Sequence, residues 1–235
     1  MPSTEAGFAG KLGTLARKDL RVEKRGRDTL PPMLAFSFAV VLVLAFTVPE
    51  ENDIGPDVLG DIVAGFLWIT ILFAGLIGFA RTFEVEREEG ALDALLMVPI
   101  DRSGLFLAKA IANLAFILVI EFFVVPLFVL LFNLDIGSGW FPLLLVVLLG
   151  DIGFVAIGTL FSSIAAQTRS RELILPLLAL PALVPLFIAV VELTSDLFLG
   201  GDFGAIAERG WFGILIAFDL LFVIVGSLVF EFAID

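Results

Sequence analysis

This 235-residue sequence predicts an all-α protein that crosses a membrane six times. Two observations carry that reading: 60% of the residues are hydrophobic, and six long runs hold at most one charged residue each. A helix spanning the ~30 Å hydrocarbon core needs about 20 mostly apolar residues. Residues 29–49, 62–80 and 173–191 carry no charge; 110–134 carries only Glu121, 136–168 only Asp151 and 210–230 only Asp219. The runs are apolar throughout instead of alternating, so they read as helices and not as barrel strands.

Taken in order, the chain begins with a charged leader. Wound at about 100° per residue, it sets Phe8, Leu12, Leu15, Ala16, Leu20 and Val22 on one half of a helix. Lys11, Arg17, Lys18, Arg21, Lys24 and Arg25 fall on the other half. That is the pattern of an interfacial helix lying among lipid headgroups. Asp19 and Glu23 land on the apolar half, costly against lipid and useful against a protein partner; the alternative is a plain positive-inside anchor. "GRDTLPP" then ends the leader, since consecutive prolines suit the start of a helix and not its interior. The expected organisation is a leader over residues 1–28 and one permease domain over 29–235. Its spans fall near 30–49, 62–80, 105–132, 140–165, 173–192 and 211–230. Pro176, Pro181 and Pro185 mark the fifth span as kinked and packed inside the bundle.

Between spans two and three lies "FEVEREEGALDALLMVP", residues 83–99. As a helix over about 84–98 it would align Glu86, Glu89 and Asp93 on one stripe and Leu92, Leu95 and Leu96 on another. Gly90 predicts a bend in the middle, and Pro99 ends the helix. A tight turn would connect the spans equally well, so this charged segment predicts a contact outside the membrane.

Charge sets the orientation. Seven of the 14 Lys and Arg precede residue 29; Arg81, Arg87, Arg102 and Lys109 are assigned to the loop after span two, Arg169 and Arg171 to the loop after span four, and only Arg209 to the opposite side. The positive-inside rule therefore expects both termini in the cytoplasm of a multi-pass cell-membrane protein. The opposite loops hold ten acids against that one arginine and dominate the net charge of −12. Either adaptation to high salt or ordinary loop acidity accounts for this.

The chemistry open to the chain is narrow. With no Cys, His or Tyr, the sequence excludes disulfides, thiolate metal sites, the usual proton shuttles and triad hydrolases. No P-loop motif is present; "AGKLG" has the Gly-Lys pair alone. No metal, directly bound cofactor, catalytic residue or nucleic-acid partner is expected. The intramembrane acids Glu121, Asp151 and Asp219 are candidates for a transport role or, equally, for a structural one.

The segment "FARTFEVEREEGALDALLMVPIDRSGLFLAKAIAN" (79–113), the leader "LARKDLRVEKRGRD" and the proline-spaced "RELILPLLALPALVPLFIA" (171–189) together resemble the ABC-2-type exporter permeases, and most closely the haem exporter B family of cytochrome c maturation. The resemblance implies an ABC-2 exporter-like bundle and a non-catalytic subunit. It also implies a coupling helix at Glu86, Arg87, Glu88, Glu89, Gly90, Leu92, Asp93, Leu95 and Leu96 that docks on a separate P-loop ATPase. ATP would be bound by that partner and haem handled by the complex. A second permease copy or a haem-handling membrane subunit would complete the assembly in the bilayer. Other readings stay open: an exporter permease for lipid, polysaccharide or a small molecule, an ion-coupled transporter using the three acids, or a membrane scaffold.

Overall fold

A computed structural model describes residues 8–48, 55–83, 101–134, 136–168 and 171–233. The helices among them are α1 (Phe8–Gly26), α2 (Leu30–Thr47), α3 (Pro56–Arg81), α4 (Arg102–Leu131), α5 (Trp140–Ala166), α6 (Arg171–Phe198), the short α7 (Phe203–Glu208) and α8 (Gly210–Ala233). Six of them, α2 to α6 and α8, are long and apolar enough to cross a membrane. Their outward surface is apolar: Phe46, Phe122, Leu130, Phe141 and Leu173 are each at least 71% exposed. Such a surface is stable only in lipid. The six spans and the leader helix agree with the sequence reading; the expected coupling helix, 84–98, lies outside the described residues.

Lipid tails are as apolar as Leu, so these helices are held by close packing and by hydrogen bonds more than by the hydrophobic effect. The packing centres on α5, which meets α3, α4, α6 and α8. Glycines make this possible. The Phe79 ring of α3 occupies the space a side chain at Gly158 would fill, and the Phe154 ring of α5 occupies the space beside Gly75. The two rings then meet edge to face, 5.0 Å between centroids. Trp68 fills the gap at Gly150 in the same way, and its Nε1 donates to Thr194 Oγ1 of α6 at 2.9 Å.

α6 runs unbroken through Pro176, Pro181 and Pro185. It is not enclosed, as its prolines suggested. Leu175, Ala179, Leu183, Leu186, Val190 and Leu193 face the bundle, while Leu173, Leu177, Val184 and Ile188 face outward. The prolines at 181 and 185 lie on that outward side.

At the start of α2 the sequence solves a capping problem by long-range contact. The first turn of a helix leaves its N–H groups without intrahelical partners. Pro31 and Pro32 bring none, and the Met33 N–H donates to Thr29 O at 3.4 Å. That leaves the N–H groups of Thr29 and Leu30, and the Glu23 carboxylate of α1 accepts both, at 3.0 and 2.7 Å. α1 itself stops at Gly26, followed by Arg27 in the left-handed region at φ 58°.

Gly158→Ala forces Phe79 from its slot, and the expected cost is about 1–3 kcal/mol of stability. Gly65→Ala, where an added Cβ meets nothing within 4 Å, is the matched control and should melt like the parent. Thermal unfolding of both variants in lipid nanodiscs checks this.

Candidate functional site

The spans separate the charged groups into a basic end, where α1 lies and where α3, α5 and α8 finish, and an acidic end opposite. The basic end holds the most polar cluster. Lys109 lies in the second turn of α4 with only 4% of its surface exposed. Its Nζ is 3.1 Å from Asp19 Oδ2 of α1 and donates to the Thr82 carbonyl, just past α3, at 3.0 Å. It also sits 5.3 Å from the centre of the Phe83 ring, a cation–π distance.

From there a line of side chains crosses the bundle. Thr82 Oγ1 donates to Asn113 Oδ1 at 3.1 Å, and Asn113 Nδ2 donates to Thr159 Oγ1 of α5 at 2.9 Å. Four helices are thereby tied together at one level. A cavity of about 340 Å³ opens beside the line, walled by Lys18, Asp19, Glu23, Arg81 and Lys109 and reaching inward to Asn113 and Phe116. The two chain positions that flank residues 84–100, Phe83 and Asp101, both belong to this end.

Sequence reasoning counted Lys109 with the loop charges, although its expected third span, 105–132, includes the residue. The structure sets it within α4, where a partner from α1 lets the ammonium lie inside the helical region. The signal was available in "LAKAIAN", where Lys109 and Asn113 stand four residues apart on one helix face. Thr82, Asn113 and Thr159 were missed altogether.

The leader helix also packs on the bundle. From Gly10 onward its buried residues are Ala16 and Glu23, with Leu12, Leu15 and Asp19 half-buried, and α1 packs mainly on α4. Leu20 and Val22, expected on the apolar side, are exposed. Asp19 and Glu23 do meet protein, but within their own chain. Arg17, Arg21, Lys24 and Arg25 are exposed, and Lys11 and Lys18 are intermediate. Lys18 also reaches Asp19, at 3.4 Å.

At the acidic end, Arg209 binds Asp196 at 2.8 Å and Glu192 at 3.5 Å, holding α6 to the turn before α8. Ser195 Oγ donates to Asp61 Oδ1 at 2.5 Å, linking α6 to α3.

Glu121, Asp151 and Asp219 lie on α4, α5 and α8 and are 4%, 0% and 5% exposed. No serine or threonine hydroxyl satisfies them; Glu121 and Asp151 meet each other, and Asp219 meets the backbone at Gly153. The coupling-helix candidates Glu86, Arg87, Glu88, Glu89, Gly90, Leu92, Asp93, Leu95 and Leu96 lie outside the described residues.

Six helices long and apolar enough to cross a membrane, joined by a polar clamp at one end, define a multi-pass membrane protein. The family model described as "CcmB protein" matches residues 11–235. "Heme exporter protein B" of Rhodobacter capsulatus is 32% identical over 77% of this chain and 81% of its own length. Proteins of the same name from Paracoccus denitrificans (29%, over 81% and 85%) and Pseudomonas aeruginosa (26%, over 74% and 75%) are also similar. The chain belongs to the CcmB protein family, as the resemblance implied.

Asn113→Leu removes the middle of the Thr82–Asn113–Thr159 line and strands the Thr159 hydroxyl in the bundle. The expected loss is about 1–3 kcal/mol, the cost of a buried polar group left unpaired. Thermal unfolding in nanodiscs reads it, and an unchanged midpoint would mean that the line contributes nothing.

Proposed function

We infer that this chain is the membrane-spanning permease subunit of a haem exporter that serves cytochrome c biogenesis. Membership of the CcmB family over residues 11–235 is the observation that carries this reading. The chain supplies no nucleotide motif, so a separate P-loop ATPase powers it. The basic end faces the cytoplasm of the cell membrane, in keeping with the positive-inside rule. Residues 1–28 form a cytoplasmic leader on one permease domain, 29–235. Haem is handled by the assembled complex, which includes a second permease copy or a haem-handling membrane subunit.

Residues 86–96 are the segment on which the ATPase docks. Charged side chains at such a contact set register and speed association more than they add affinity. A push on this segment acts on both of its flanks, α3 at Arg81 to Phe83 and α4 at Asp101. The Lys109 bonds to Thr82 and Asp19 make those flanks move together, and Asn113 passes the displacement to α5 through Thr159. Such clamped packing favours discrete rearrangement of helices over gradual bending.

The test is a detergent pull-down of the tagged chain from its native membrane beside a variant with Glu86, Glu88 and Glu89 changed to Lys. The expected result is a P-loop ATPase and cytochrome-maturation proteins with the parent, and loss of the ATPase from the variant. Recovery of an ATPase without any maturation protein would favour another exported cargo. Absence of an ATPase at every salt concentration would overturn the reading.

A further inference from the structure

The three buried acids stand at one depth. Counting from the acidic-end terminus of each helix (Leu131, Trp140 and Gly210), Glu121 is ten residues in, Asp151 eleven and Asp219 nine. At 1.5 Å per residue that is about 15 Å, half the hydrocarbon thickness. Asp151 is the middle member. Its carboxyl interacts with Glu121 on one side and with Asp219 on the other. Asp219 comes from a third helix and enters through a glycine gap: a Cβ at Gly153 would fall 2.5 Å from Asp219 Oδ1. A carboxyl carried into a membrane core and given room by a glycine, where an apolar side chain would pack as well, points to a role beyond packing.

Register adds an independent observation. α4 and α5 run antiparallel, and Asn113 bonds Thr159. Eight residues further along α4 and eight back along α5, Glu121 faces Asp151. The same seam therefore carries two polar rungs, about 12 Å apart. Between them the same pairing sets Ile117 opposite Val155, both buried. The basic-end cavity reaches the first rung, at Asn113 and Phe116. One apolar layer thus separates water at that end from the acids.

The surroundings decide the ligand. Among the described residues, the ionisable groups acting on any of the three carboxyls are only the other two. α1, α2, α3, α6 and α7 bring none to them, and the nearer of the two cations of α4, Lys109, is twelve residues or about 18 Å from Glu121. The acids meet pairwise and form no group able to hold a metal ion. Adjacent carboxylates in a low-dielectric medium repel strongly, and a proton is the one counter-charge that fits between them.

We propose that Glu121, Asp151 and Asp219 form a proton-binding relay at the membrane midplane that exchanges with the basic-end cavity through the α4–α5 seam. A proton passing from Glu121 to Asp151 leaves a carboxylate on the first and an acid on the second, with the charge of the trio unchanged. Its release past Ile117 into the cavity makes the trio more negative by one. The relay does not depend on which cargo the permease carries.

Infrared difference spectroscopy of the intact chain in nanodiscs tests it. The expected result is a protonated-carboxyl C=O band that changes as bulk pH is moved between about 5 and about 9 and is lost or shifted in each of the near-isosteric variants E121Q, D151N and D219N. Ile117→Ser, which wets the intervening layer, should speed deuterium exchange of that band several-fold. A second readout uses the parent alone: a hydrophobic carbodiimide should label Glu121 or Asp151 faster at the low pH than at the high. A titrating band that survives all three variants, or no titrating band together with no pH-dependent labelling, overturns the site. An exchange rate unaffected by Ile117→Ser overturns the route.

Discussion

The arrangement at the basic end depends on one ammonium group. Lys109 is almost wholly buried, and a buried charge persists only where partners replace its water. Asp19, the Thr82 carbonyl and the Phe83 ring supply that replacement from three parts of the chain. The requirement is mutual: Asp19 fastens α1 to α4 through Lys109, and the Thr82 carbonyl, with its hydroxyl on Asn113, fastens the end of α3 to the same helix. Glu23 fastens the same helix to the start of α2. A leader that composition alone would leave floating in headgroups is thus bolted to the ends of three spans.

Deeper in, the bundle is held by shape. Rings from α3 fill glycine gaps on α5 and a ring from α5 fills one on α3, so the two helices interlock like paired teeth. Two side-chain hydrogen bonds, Trp68 to Thr194 and Ser195 to Asp61, then fix α6 to α3. A body so interlocked transmits displacement applied at one end. On the transport reading, the α3–α5–α6 core is the stiff body that a push delivered between α3 and α4 would drive.

Much of this was legible in advance. Apolar runs report spans directly because lipid tolerates few alternatives, so all six helices could be read from where charge is missing. Boundaries and faces were less legible. Lys109 stands just before an apolar run and was counted with the loop charges, yet its counter-ion lies ninety positions earlier, beyond the reach of any local pattern. For the same reason Asp19 and Glu23 looked misplaced on α1 when each had a specific partner. The prolines of α6 pointed to an enclosed helix, but two of them sit on its outward side. Glu121, Asp151 and Asp219 stood out singly; that they share one level and meet across three helices could emerge only from the packing.

The central claim is that Lys109 and Asp19 act as one unit joining the leader to the flanks of the 84–100 segment. A double-mutant cycle on stability in nanodiscs, comparing Lys109→Met, Asp19→Ala and the double variant with the parent, isolates their interaction. A coupling free energy of about 1 kcal/mol or more, with the double variant less damaged than the two single losses summed, is the predicted result. Simple additivity, to within about 0.3 kcal/mol, would contradict it and leave α1 as an anchor that merely rests on α4.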